Sequence, residues 1–157
     1  MKITFTVIGK TTDDYIKTGF QLYEKRLNHY VNFELKIIPE LKNNKNLSTV
    51  EQKKSEGNLL LKELKPTDLL ILLDENGKTY NSIEFSDYVQ HIMNKGIKNV
   101  VFAIGGPYGF SDEIYKRAND KIALSRMTFS HQLVRLIFAE QLYRAMTILK
   151  KEPYHHI

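Results

Sequence analysis

Cysteine is absent from the 157 residues, which excludes disulfides, thiolate metal sites and cysteine nucleophile chemistry. The absence fits a reducing compartment. No apolar run approaches the length needed to cross a bilayer. The first nine residues begin directly as a strand-like alternation, and their apolar stretch is too short for a secretory segment. Internal repeats, low-complexity tracts and an inter-domain linker are also missing. These absences predict a soluble, cytoplasmic protein with no membrane association. It reads as one domain over residues 1–157, large enough to bury a core without staples.

Several chemical signatures are missing too. Only Gly9 follows the first strand-like segment, so the G-x-G-x-x-G dinucleotide fingerprint is not there, and neither is a P-loop. No G-x-S-x-G elbow supports Ser-His-Asp catalysis. The histidines, His29, His91, His131, His155 and His156, form no H-E-x-x-H pattern, and no catalytic metal is expected. His155 and His156 stand side by side in a tail, which alone suggests weak metal affinity or no role.

What is present is basic: a net charge of +5 and a pI near 9.2. That permits a polyanionic partner such as RNA, and equally a modestly basic protein without one. Lys2 to Ile8 alternates around β-formers and predicts a strand. Thr12 can cap a helix whose apolar face is Ile16, Phe20, Tyr23, Leu27 and Tyr30. Phe33 to Ile38 predicts a second strand, and 40–47 a polar loop. Ser48 and Glu51 form a capping-box pair for a second helix ending before Pro66.

Leu69 to Leu73 is an unbroken apolar run, as in a strand covered on both faces, with Asp74 to Gly77 as a turn after it. Asn81 and Glu84 can cap a third helix with Phe85, Val89, Ile92 and Met93 buried, closed by Gly96. Asn99 to Ile104 is a fourth strand, Ser111 opens a short helix, and Lys121 to Leu124 is a fifth strand. The last helix spans roughly His131 to Lys150, with Ser130 as a candidate cap. Strands alternating with helices predict an α/β fold, a mainly parallel five-stranded sheet flanked by helices.

Ligands in such sheets sit beyond the carboxyl ends of the strands, which singles out the loops after Leu73, Ile104 and Leu124. Gly105, Gly106 and Gly109 let the backbone approach a ligand closely, or simply make a tight strand-to-helix turn. The segment from Ala123 to His131 mixes apolar, hydroxyl, basic and imidazole groups before a helix. It can offer backbone groups to an adenine edge or be an ordinary connection. Leu133 to Ala139 is nearly continuously apolar, so the last helix either lies deep in a monomer or packs a second face on another subunit.

Taken in order, several segments carry a resemblance. They are Ile8-Gly9-Lys10, Tyr23 to Leu27, Leu72 to Lys78, Phe102 to Gly109, Leu124 to Phe129, Glu140 to Ala145, and Pro153-Tyr154-His155. Over essentially its whole length the chain resembles the ribosomal large subunit methyltransferase H family of the SPOUT superfamily. The resemblance implies an α/β-knot fold with a C-terminal trefoil knot, a homodimer, and S-adenosyl-L-methionine as methyl donor. It implies methylation of N3 of a pseudouridine in a stem-loop of 23S ribosomal RNA on assembled ribosomes.

Carried over residue by residue, Leu73, Gly105, Leu124, Ser125, Arg126, Met127, Thr128 and Phe129 would hold the donor. Arg144, Tyr154 and His155 would address RNA near the reacting base. The transfer itself is a positioning task. Arg144 would favour the developing anionic base. His155 would accept the N3 proton, since imidazole titrates near neutrality, or Tyr154 and His155 only contact RNA while solvent takes it. Two positions depart from the family's pattern: Ser130 stands where proline is common, and His156 where arginine or lysine is, which weakens a phosphate contact. Three rival readings stay open. They are a knotted methyltransferase for another nucleotide, a non-catalytic ribosome-binding module, and a flavodoxin-like domain with a phosphate cofactor.

Overall fold

A computed structural model describes residues 1–156; Ile157, the last residue of the expected domain, lies outside the described residues. The elements are β1 (Lys2–Ile8), α1 (Asp14–Leu27), β2 (Asn32–Ile38), α2 (Thr49–Glu63), β3 (Leu69–Thr79) and α3 (Ser82–Asn94). Then come β4 (Asn99–Ile104), α4 (Asp112–Arg117), β5 (Asp120–Ala123) and α5 (Leu133–Leu149). The strands form one sheet in the order β2-β1-β4-β3-β5, and every strand pairing is parallel. A flavodoxin-like sheet runs 2-1-3-4-5. The exchange of β3 and β4 therefore excludes that rival.

Strand alternation sorts the core onto two faces. Phe5, Val7, Ile71, Leu73, Val100 and Phe102 meet Phe20 of α1, Phe85 of α3 and Phe138 of α5. Ile8, Leu70, Leu72, Val101 and Ala103 meet Leu60 of α2 and Ile114 of α4. Phe138 anchors the first face, its ring 4.5 Å from that of Phe5 and 4.9 Å from that of Phe102. Such pairs add about 0.5–1.5 kcal/mol beyond the area buried.

Local chemistry sets the helix starts. Ser48 and Glu51 form the expected reciprocal cap on α2, as Asn81 and Glu84 do on α3. Replacing Ser48 with alanine is expected to cost about 1 kcal/mol, read as a fall in the midpoint of urea unfolding.

Four local expectations need correction. Thr12 does not cap α1; its amide bonds Gln132 Oε1 at 2.9 Å, and Asp13 precedes the helix without a side-chain cap bond. Met93 is 36% exposed, because Ile92 takes the inward stripe and the next residue turns about 100° away. The last helix begins at Leu133, two residues late, although Ser130 Oγ still accepts from Leu133 N at 3.1 Å.

The fourth concerns Asp74 to Gly77, where β3 does not end. The Asp74 carboxylate accepts from Asn76 N at 2.8 Å, a turn-like bond, but pairing with β5 resumes at Lys78 and Thr79. Gly77 passes so close to β5 that a Cβ there would lie 2.5 Å from the carbonyl carbon of Ile122.

Candidate functional site

β4, β3 and β5 are neighbours, so the loops leaving their carboxyl ends face one another. Between them lies a cleft of about 460 Å³, a size suited to a small-molecule ligand. Its first wall is Leu73 with Asp74 to Asn76, its second runs from Ile104 to Phe110, and its third is Ala123 to Phe129 without Arg126. Tyr115 of α4, His131 and Val134 of α5 complete the lining.

Leu73, Gly105, Leu124, Ser125, Met127, Thr128 and Phe129 therefore share one cleft. Arg126 is exposed and outside the lining.

The second wall is a tight backbone turn. Gly109 N donates to Gly106 O at 3.0 Å, and Gly109 has a φ of +83°, a region that glycine enters without steric cost. A Cβ on Gly105 would stand 2.9 Å from the carbonyl carbon of Gly109, so this position has room for hydrogen only. On the third wall Ser125 Oγ accepts from Met127 N at 2.9 Å and shapes the loop. At the first wall the Tyr115 hydroxyl donates to Asp74. Burial first, and that bond second, raise the Tyr115 phenol well above its ordinary range, so it stays a donor.

Arg135 joins this end of α5 to β1, with His131 just before the helix. Burial lowers the His131 pKa, the Arg135 charge adds to the effect, and Glu40 opposes it. Its imidazole is therefore neutral at pH 7. Arg135 is 1% exposed. It donates to Ile8 O at 2.9 Å, Gly9 O at 2.9 Å, Thr11 Oγ1 at 3.1 Å and the His131 carbonyl at 3.2 Å.

Arg144, Tyr154 and His155 gather elsewhere. Arg144 donates to Glu140 Oε1 at 2.5 Å, lies 4.7 Å over the Tyr154 ring, and meets His155 Nδ1 at 3.2 Å. Tyr154 donates to the same Glu140 oxygen at 3.0 Å, so its contact with Tyr23 at 3.2 Å has Tyr23 as donor. Burial, then these two bonds, raise the Tyr154 phenol. A guanidinium has no acceptor. Nδ1 of His155 therefore accepts, and the ring proton sits on Nε2.

None of Arg144, Tyr154 and His155 lines the cleft. From Val134 to Arg144 is ten residues of one helix, roughly 15 Å at 1.5 Å per residue.

Glu140, Tyr115 and Glu56 have no role that their residue types alone announce in the sequence. Only Glu140 carried a local signal, its i,i+4 spacing to Arg144; the others reach the site by tertiary contact alone.

A family model described as "Predicted SPOUT methyltransferase" matches residues 1–155. The protein of Flavobacterium psychrophilum named "Ribosomal RNA large subunit methyltransferase H" is 59% identical over 156 residues, 99% of each chain. The chain belongs to this family of SPOUT methyltransferases. Relatives of the same name from Cytophaga hutchinsonii, 57% identical, and Bacteroides fragilis, 49% identical, are also covered over at least 99% of their length.

The family is one of methyltransferases, and the residues of this cleft fit a methyl donor. Gly105 is a cradle that any Cβ would fill. Leu73, Ile104, Leu124 and Val134 offer apolar walls, and Asp74 and Glu75 place carboxylates at one side.

Proposed function

We propose that this chain methylates N3 of a pseudouridine in large-subunit ribosomal RNA, with S-adenosyl-L-methionine as donor, acting as a cytoplasmic homodimer on the ribosome. The single observation that carries the reading is the convergence of Leu73, Gly105 and the 124–129 loop on one cleft. The names of the relatives support ribosomal RNA as the substrate. When bound, the donor supplies a methyl group made electrophilic by a positively charged sulfur.

The chain's own contributions are positional. The glycine turn and the third loop hold the donor through backbone groups, and the apolar walls exclude water. Arg144 stands beside the reacting base and favours the charge that develops as N3 loses its proton. In one chain the cleft and Arg144 are separated along α5, and α5 is apolar over most of its surface. Both features support a composite site, in which one subunit holds the donor and its partner brings Arg144 and the tail.

The test combines labelled donor with 70S ribosomes from a strain lacking the methyl group, and a parallel sample lacking the pseudouridine. Mass spectrometry is expected to find methyl on N3 in the first and none in the second. Equal methylation of both would replace this reading with another target nucleotide. Ribosome binding without donor binding would replace it with a non-catalytic module.

A further inference from the structure

Glu56 Oε2 is the buried side-chain atom without a hydrogen-bond partner among the described residues. Glu56 is 5% exposed and sits on α2, across the sheet from α5. Its other oxygen accepts from Gln52 Nε2 at 3.0 Å. Burial raises its pKa; the Gln52 bond opposes the shift and the charge of Glu40 adds to it. Lys53 of α2 and Ser111 line the same small cavity.

The carboxyl group lies against Gly106, in the second wall of the cleft. A Cβ on Gly106 would stand 2.4 Å from Oε2, 2.8 Å from Oε1 and 2.9 Å from Cδ, so its three nearest neighbours all belong to Glu56. Gly106 does not have a positive φ. The tight contact at Gly106 is therefore with the end of this side chain and not with backbone, so a Cβ there requires the carboxyl to move. Glu56 is held from its other side by the Gln52 bond and is buried, so its carboxyl has little open space to turn into.

We propose that Glu56 is a positioning residue for the donor cleft. Its buried carboxyl is a buttress beneath Gly106 that sets the height of the second wall, and with it the affinity for the donor. The assignment of the donor to this cleft rests on the function proposed above; the contact between Glu56 and Gly106 does not.

The test uses the full chain as wild type, Gly106→Ala, Glu56→Ala, the double variant and Glu56→Gln. Two readouts are taken: equilibrium binding of S-adenosylmethionine, and amide hydrogen exchange across 104–110. Gly106→Ala is expected to weaken binding at least about tenfold, as small misplacements do, and to speed exchange in the turn. Adding Glu56→Ala removes all three clashing atoms and is expected to recover most of both losses, a large non-additivity.

Glu56→Gln keeps the shape without titrating. A carboxyl whose folded pKa is raised favours the fold at acid pH, and that contribution fades as pH rises through the raised value. As this carboxyl ionises, wild-type donor affinity is expected to fall with it, while Glu56→Gln stays flat over the same range. A Gly106→Ala variant that binds and exchanges like wild type, strictly additive losses, or identical pH profiles would each overturn the proposal. If wild type binds no donor, the cleft assignment fails, and hydrogen exchange still decides whether Glu56 buttresses the turn.

Discussion

Replacing Arg135 with leucine is expected to lower stability by about 3 kcal/mol or more, the sum of several buried acceptors left without a donor at about 1–3 kcal/mol each. Three of its partners are backbone carbonyls, of Ile8, Gly9 and His131, which cannot turn elsewhere. For a domain of this size the loss corresponds to a fall in Tm of roughly 6–12 °C. Burial lowers the Arg135 pKa and Glu40 opposes it, yet a guanidinium stays charged at neutral pH.

Arg135→Lys is expected to recover little. An ammonium is a point donor that cannot span carbonyls on both sides as the guanidinium fork does. Donor binding should weaken together with stability, because Val134 is adjacent to Arg135 and the His131 carbonyl accepts from it, and both residues line the cleft. Thermal melts with and without donor provide the measurement. A change in Tm below about 2 °C would mean that water or a rearranged α5 satisfies the carbonyls.

The route from sequence to fold worked where burial is repetitive. Leu69 to Leu73 and Asn99 to Ile104 announce central parallel strands because both of their faces are covered. Ser48 and Asn81 announce helix starts because capping is a local bond. The excursion from Asp74 to Gly77 failed for the converse reason: its composition is that of a turn, and only contact with β5 makes it strand.

Strand order was equally hidden, since nothing local tells β4 to lie between β1 and β3. The knot that the resemblance implies is likewise not encoded by any periodicity. The three loops that line the cleft were legible as a set, through glycine spacing, position after strands and resemblance. Their supports were not. Glu56 and Arg135 look like ordinary helix-surface charges until the chain folds, and both are buried.

The largest effect on the reaction is expected at Arg144. Arg144→Ala should lower single-turnover methyl transfer on ribosomes by about 100- to 1000-fold, the usual cost of one preorganised donor aimed at developing charge. Donor affinity should stay within about twofold, because in the proposed site Arg144 addresses the base and not the donor, and so its loss removes transition-state binding alone. Glu140 holds the guanidinium through Oε1 and also receives Tyr154. Glu140→Gln should therefore lower the rate by a smaller factor while leaving the charge in place.

His155 separates two versions of the chemistry. With Nδ1 occupied by Arg144, the ring presents Nε2–H, a donor, and cannot receive the N3 proton unless that contact breaks. His155→Gln, which retains an N–H, is expected to keep most of the rate and the wild-type pH profile. A loss as deep as that of Arg144→Ala, together with disappearance of the acid limb of the profile, would make His155 the base after all. Arg144 would then act by orienting that ring and not by stabilising the charge on N3.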